Sequence, residues 1–465
     1  MNIIFPVIDY DIDKEIRKSY KGGFCYVNPV NQDKIINDLM VLDVNSLYPS
    51  TMYNELLPVG QPIYYEGKYK EDKFYPLFVQ HFRCSFELKE GKLPTLLSKK
   101  SYKDRNEYVT SSHGEIEELV MTSVDMELFF KHYNIDENDL KYINGYKFRA
   151  KLHLFDKYIE FWSGRKIQCK KDGNKGMYKY SKVMLNSLYG KFGLNPDGGI
   201  KEPYLNEEGI VKYKSVSVQN NPNLLKEGQK LKIRDNEYYT VENGDTLKDI
   251  EKKYKVSWRL IFENNEDVID CKMKPRETIY IPMASFITSL ARRKTIETSQ
   301  KIKDFSIKNY GEDYYCYSDT DSIHCKKIPM EELQKIIEID PYKLGAWDLE
   351  AEPKFGKFIR QKSYMEFIDG EYKVTCSGLS KSCIRYNKDH SKIYYKIFDE
   401  NECKYCEDNT SCNDCVHLGC EECFYKEFDI NDFKVGFMCG GKLGFKHVPG
   451  GVILVETSFL LKEKF

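Results

Sequence analysis

No stretch of this 465-residue chain approaches the ~20 consecutive apolar residues that a membrane-spanning helix requires. The first residues also lack the basic-then-apolar order of a secretory signal. Both absences read as a protein of the cytosol with no membrane partner. Net charge is nearly missing too, since 71 Lys and Arg stand against 72 Asp and Glu. A balanced total neither supports nor excludes a polyanionic partner, because binding phosphates needs local basic surface rather than a basic average. A regular βαβ rhythm is absent as well. Short β-like runs alternate irregularly with helices, which fits an α+β protein assembled from insertions around one central sheet. With 41% hydrophobic residues the chain is globular and long enough for about two to four domains.

What is present is unevenly placed. Residues 145–193 hold twelve Lys or Arg against three acids, whereas residues 399–432 hold eleven acids against two lysines. The first segment suits phosphates and the second should avoid them. Fifteen cysteines in a reducing compartment read as thiols or metal ligands rather than disulfides. Six of them form Cys403-x-x-Cys406, Cys412-x-x-Cys415 and Cys420-x-x-Cys423. Two such pairs supply the thiolates for one tetrahedral zinc ion. Their short separations favour a compact zinc-knuckle-like insertion at 399–428, structural or partner-facing, with the choice of ligands open. His417 is more simply a bystander, and a cysteine-rich loop without metal is the alternative.

Met40-Val41-Leu42 reads as a buried strand ending at Asp43. Residues 314–317 and 323–326 read as two strands joined by the turn Ser318-Asp319-Thr320-Asp321. Asp319 and Asp321 would point the same way in an extended strand. Carboxylates brought together from distant strands are what a pair of divalent ions needs for phosphoryl transfer from a triphosphate to a hydroxyl. Taken alone, Asp-x-Asp is simply a solvated turn.

Both segments sit inside longer strings. Asp43-Val44-Asn45-Ser46-Leu47-Tyr48-Pro49-Ser50 resembles motif A of family B DNA polymerases, and Tyr317-Ser318-Asp319-Thr320-Asp321-Ser322 resembles their motif C. Lys182-Val183-Met184-Leu185-Asn186-Ser187-Leu188-Tyr189-Gly190 is similar to motif B, and the three follow the family's order. Lys362-Ser363-Tyr364 resembles the Lys-x-Tyr motif, and Tyr20-Lys21-Gly22-Gly23 resembles the Tyr-x-Gly-Gly linker element. Similarity between motifs, as at 91–115 and Val448-Pro449-Gly450-Gly451-Val452, points to the protein-primed polymerases of small tailed bacteriophages, in their polymerase domain only.

That resemblance implies a right-hand α+β fold. The linker element and first part of the palm would occupy 1–56, an insertion facing the terminal protein 57–152, and the fingers 153–195. A remnant of a second, DNA-enclosing insertion would follow at 196–219, the rest of the palm at 283–365, and the thumb at 366–465. It also implies a DNA-directed nucleotidyltransferase, phage-encoded and acting in the host cytoplasm, that uses two magnesium ions, deoxynucleotides and a primer-template. Asp43, Asp321 and the Val44 carbonyl would ligate metal, with Asp319 near the primer end. Tyr48 would exclude a 2′-hydroxyl by bulk, although a core aromatic is the plain alternative.

Lys182, Asn186 and Tyr189 share one helix face by their spacing and would meet triphosphate and base, with Lys166 a second phosphate contact. Lys175 and Lys179 extend that stripe or are merely solvated. Tyr20, Gly22, Gly23, Gly190, Lys191, Lys362 and Tyr364 would touch DNA, the last two from a strand. Only nineteen residues precede Tyr20, too few for the family's exonuclease, and Asp9-Tyr10-Asp11 cannot replace it. A separate exonuclease polypeptide, a fragment and an exonuclease-less lineage are all compatible with that start.

Residues 220–282 resemble something else. Tyr239-Thr240-Val241-Glu242-Asn243-Gly244-Asp245-Thr246-Leu247, then Asn264-Asn265 and a closing Ile279-Tyr280-Ile281-Pro282, are similar to a LysM module, a small βααβ unit. Residues 223–233 echo the tail of another copy. LysM units commonly bind N-acetylglucosamine polymers, so the rival reading is a non-catalytic DNA- or glycan-binding protein derived from a polymerase. Recruitment of the module as a structural part is the preferred one.

Overall fold

The computed structural model describes residues 4–97, 108–196, 200–205, 211–216, 218–221, 224–265, 269, 279–396, 425–448 and 451–462. At its centre is a five-stranded sheet in the order Cys25–Val27, Tyr315–Asp319, Ser322–Lys326, Leu39–Val44 and Trp347–Ala351, antiparallel at every step. Leu39, Met40, Val41 and Leu42 are all buried, the continuous apolar run of a strand covered on both faces. Part of that cover is a 30-residue helix, Ile281–Tyr310. Its first three turns are apolar or small all round and wholly buried. Pro282 sits in the first turn, where its missing N–H has no helical partner to lose. Gly311, at φ +72°, ends the helix in the left-handed conformation that favours glycine.

The insertion expected at 57–152 is a second sheet, ordered Leu57–Glu66, Lys141–Lys151, Leu77–Cys84 and Glu117–Thr122, with helix Ser123–His132 against the long helix. The expected basic helical pair is Asp156–Lys171 and Lys175–Phe192, with Gly173 at φ +68° in the reversal and the Asn174 side chain capping the Met177 N–H. A third sheet runs Glu371–Cys376, Ser363–Ile368, Phe355–Arg360 and Ile35–Asn37. The hairpin Ile200–Leu205 with Val211–Val216 lies against Met438–Val448, which pairs with Gly451–Leu460.

The LysM-like segment folds with a different strand partner from the one its pattern implies. Ile281 and Pro282, expected in a closing strand, instead open the long helix. Glu237–Thr240 pairs with Lys230–Arg234, the piece that echoes another copy's tail, so the strand ahead of the module lies beside it. Helices Leu247–Tyr254 and Trp258–Glu263 complete a core of Leu231, Ile233, Leu247, Ile250, Trp258 and Ile261. Thr246 and Asp249 form a reciprocal capping box at the first of these helices.

The module is fixed to the rest of the chain. Trp258 Nε1 donates to the Tyr10 hydroxyl at 3.2 Å, and the Arg259 guanidinium lies 4.4 Å from the Tyr10 ring centre. Tyr10 opens helix Tyr10–Arg17, where the Asp9 carboxylate caps the Asp11 and Ile12 N–H groups. Replacing the 2% exposed Trp258 by alanine is expected to destabilise the module by about 3–5 kcal/mol. Hydrogen exchange should accelerate across 224–265 and remain slow in the long helix.

Eight cysteines among the described residues are free thiols. Cys403, Cys406, Cys412, Cys415, Cys420 and Cys423 lie outside the described residues. No helix among the described residues is long and apolar enough to cross a membrane.

Candidate active site

Strand register brings the carboxylates together. Asp43, one residue from the end of Leu39–Val44, stands opposite Ser322 on one side and Asp348 on the other. The hairpin that delivers Asp321 turns at Thr320, whose φ is +65°. That residue is held by its N–H on the Phe24 carbonyl at 2.7 Å and by Thr295 Oγ1 on its own carbonyl at 2.8 Å. The Val44 N–H donates to the Asp321 carbonyl at 2.8 Å, locking the turn onto the neighbouring strand.

Thr320, in the left-handed conformation, stands between Asp319 and Asp321, so the two are joined by a turn and not by the extended strand that the sequence reading assumed. Asp319 accepts from Lys362 Nζ at 2.6 Å and from the Tyr317 hydroxyl at 3.2 Å. Asp321 lines a cleft with Asp43. Gly23 seats this turn, because a Cβ there would lie 2.6 Å from Thr320 Cγ2. The carbonyls of Lys21 and Gly22 each accept from the Arg292 guanidinium at 2.7 Å. Tyr20 packs against Gly193 so closely that a Cβ there would meet its hydroxyl at 2.4 Å.

The cleft has a volume of about 260 Å³. Asp43, Asp321, Asp348 and Glu350 line one side, while Lys166, Lys170 and Lys182 reach it from the helical pair. Burial, reinforced by Asp321 and Glu350, pushes the Asp43 carboxyl up to about 7 against the pull of Lys182 and Lys166. Asp321 is raised chiefly by burial, with Lys182 opposing. Burial, then Lys182, lowers the Lys166 ammonium, while Asp43 works the other way. Lys166 Nζ also donates to Ser46 Oγ at 2.9 Å. Ser46, at φ +60°, starts the helix Leu47–Asn54 that carries Tyr48. The rings of Tyr48 and Tyr189 stack 4.0 Å apart at 26°, joining that helix to the helical pair.

Lys182, Asn186 and Tyr189 all reach the cleft, as their spacing implied. Lys175 and Lys179 are exposed away from it, and Tyr178 lines it from the same helix. Gly190 would place a Cβ in open space, beside the exposed Lys191. Lys362 is not on a strand. It sits in a turn at φ +54°, its N–H donating to the Tyr317 hydroxyl at 2.9 Å, and the strand begins at Ser363. Tyr364 is half-buried, its ring 5.1 Å from Tyr317 and 5.2 Å from His324.

Outside the string 43–50, four cleft residues escaped the sequence reading. Lys170 follows Lys166 at i+4, a signal that was available. Tyr178 precedes Lys182 by four residues and so lies on its helix face, a signal that was also available. Asp348 and Glu350 carried none, because only cross-strand register brings them to Asp43.

The family model "DNA polymerase type B, organellar and viral" matches residues 1–251, and a LysM domain model matches residues 239–282. The DNA polymerase of Bacillus phage phi29 is 36% identical over 461 residues, covering 99% of this chain and 64% of the relative. That of Streptococcus phage Cp-1 is 27% identical over 469 residues, covering 99% and 63%. The chain thus spans about 64% of the length of the phi29 relative. Among solved structures, phi29 DNA polymerase with primer-template DNA and incoming nucleotide superposes with a TM-score of 0.68 at 32% identity, over 99% of this chain and 64% of that one. The same polymerase with single-stranded DNA gives 0.66. Because the family model takes in more than half of the residues, the chain belongs to the DNA polymerases of type B, organellar and viral.

Proposed function

We propose that this chain is the polymerising part of a template-directed DNA polymerase, joining deoxynucleotides to a primer 3′ hydroxyl. The observation that carries this is the meeting of Asp43 and Asp321 in one cleft, opposite Lys166 and Lys182. Two carboxylates held together at the cost of raised pKa values form a hard-oxygen donor set whose repulsion a divalent cation relieves, which fits magnesium. Magnesium, when bound by Asp43, Asp321 and the Val44 carbonyl, supplies charge neutralisation for the attacking and leaving oxygens.

The lysines do the rest of the electrostatic work, Lys182 and Lys166 accepting the triphosphate as point charges. Tyr189 offers a flat face to the nascent base pair, and Tyr48 beneath it meets the sugar. On the DNA side, Lys362 and Asp319 approach the primer end, with Tyr364, Gly190, Lys191 and the element Tyr20, Gly22 and Gly23 along the duplex. The solved phi29 complexes with primer-template and nucleotide support the same partners here. A terminal protein as primer completes the proposal. Primer extension with magnesium and deoxynucleotides tests it, and purified chain that binds primer-template yet extends nothing would overturn it. The LysM match keeps one rival alive, which retention on an N-acetylglucosamine polymer without any extension would favour.

Replacing Tyr48 by valine is expected to raise ribonucleotide use relative to deoxynucleotide by on the order of 10- to 200-fold, the range for one lost steric contact. Competition between the two nucleotides in single-nucleotide extension measures it, and an unchanged ratio would return Tyr48 to a packing role. For the six clustered cysteines, elemental analysis of untagged protein is expected to find about one zinc per chain.

A further inference from the structure

The cleft continues past Lys166. A second cavity of about 150 Å³ shares Ser46, Lys166, Lys170 and Tyr178 with it and is bounded on its far side by Ser163 and Tyr342. None of Asp43, Asp321 and Lys182 lines this second space, so it lies at the end of the cleft away from the carboxylates. Lys170 stands where the two cavities join. Its ammonium is 3.6 Å from the Asp348 carboxylate, in a pair exposed by 48% and 26%, and 5.8 Å from the Tyr342 ring centre. Lys171 approaches the same ring at 5.4 Å. Such an exposed ion pair is weak, and a group carrying several negative charges outcompetes one carboxylate for the same ammonium.

The transfer reaction makes such a group. As the primer 3′ oxygen bonds to the α-phosphorus and loses its proton, the bond from that phosphorus to the bridging oxygen breaks, and the electron pair leaves with pyrophosphate. The leaving group departs in line, on the side opposite the attacking oxygen. The second cavity adjoins Lys166, the phosphate contact of the polymerase reading, and neither Asp43 nor Asp321 lines it, so it is the basic space next to the cleft into which that group can pass. We propose that Lys170, with Lys166, holds the leaving pyrophosphate in this cavity, and that Asp348 competes with pyrophosphate for the Lys170 ammonium. The inference rests on the polymerase reading and adds a product site with a built-in release partner. In the reverse direction the same site positions pyrophosphate to attack the terminal phosphodiester. There the bond from phosphorus to the 3′ oxygen breaks, the oxygen takes up a proton, and a deoxynucleoside triphosphate is regenerated.

The test uses the full chain on a primed template with magnesium, titrating inorganic pyrophosphate into extension and separately following pyrophosphorolysis. Lys170→Gln is expected to raise the pyrophosphate inhibition constant by on the order of tenfold, the loss of one charge-assisted contact, and by more than it raises the nucleotide KM. Asp348→Asn is expected to lower that constant, because it removes the competitor. Calorimetric titration of magnesium pyrophosphate should move in the same two directions. Opposite shifts in the two variants would not arise from a merely structural Lys170–Asp348 contact. An unchanged inhibition constant in Lys170→Gln, or shifts of the same sign in both variants, overturns the product site while wild-type extension keeps the polymerase reading intact. Wild-type protein that extends no primer removes the polymerase reading itself, and the product site falls with it.

Discussion

Asp43→Asn and Asp321→Asn are each expected to lower single-turnover nucleotide incorporation by on the order of a thousandfold or more, because losing a metal-bridging carboxylate removes several kcal/mol from the transition state. Binding of primer-template, read by fluorescence anisotropy, should be largely spared, since phosphate contacts elsewhere carry it. A folding defect predicts the opposite behaviour of stability. The folded Asp43 carboxyl is pushed up to about 7 by burial and by Asp321 and Glu350, whereas in the unfolded chain it ionises near pH ~4. The unfolded state therefore gives up this proton first as pH rises. The contribution of Asp43 to folding stability falls from about pH 4 upward and is at its least above about 7. The asparagine variant lacks that penalty, so metal-free Asp43→Asn protein should melt at the same temperature as the parent or higher at pH 8. Either variant extending a primer at a rate near the parent's would remove the carboxylates from the mechanism.

Arg292→Leu is expected to destabilise the protein by about 3–5 kcal/mol, the range for breaking a buried ion pair from one side. Arg292 lies in the long helix, with side-chain exposures of 3% for it and 14% for its partner Asp125. Burial works to raise the Asp125 carboxyl, yet the guanidinium beside it holds it below the usual carboxylate value. Its contacts at 2.5 and 3.2 Å to Asp125, and at 2.7 Å to the carbonyls of Lys21 and Gly22, tie together the helix Ser123–His132, the long helix and the loop ahead of Gly23. Changing Asp125 to leucine as well should restore part of the loss, because no buried charge is then left alone. A double-mutant cycle in urea reads that coupling. Additive losses would mean that the pair is only a neighbour contact.

Some of the site was legible because its information is local. Three buried apolar residues ahead of Asp43 are a strand whatever surrounds them. Lys182, Asn186 and Tyr189 lie on one helix face by arithmetic alone. Lys170 was within reach of the same arithmetic, but a lysine after another lysine in a basic helix carries no mark that separates a cleft residue from a solvated one. Asp348 and Glu350 were beyond it. Their positions beside Asp43 follow from strand Trp347–Ala351 pairing with Leu39–Val44, a register between segments some three hundred residues apart.

Where the local reading failed, backbone conformation or strand partnership decided. Thr320 and Lys362 adopt positive φ values that neither residue prefers, and the surrounding hydrogen bonds impose them. Asp319 and Asp321 are consequently joined by a turn in place of an extended strand, and Lys362, in a turn ahead of Ser363, bonds Asp319. Ile279-Tyr280-Ile281-Pro282 reads locally as the closing strand of the module. Burial of Ile281, Pro282 and Met283 in the helix-packed core selects the helix, and Lys230–Arg234 becomes the partner of Glu237–Thr240.

By itself, then, the sequence determined the strand that ends beside Asp43, the α+β class and the helix face bearing Lys182, because spacing and apolar pattern act over a few residues. Only the tertiary structure decided which carboxylates share the cleft, which strand partners the inserted module and what Arg292 holds, because those depend on contacts between distant segments that no local pattern encodes.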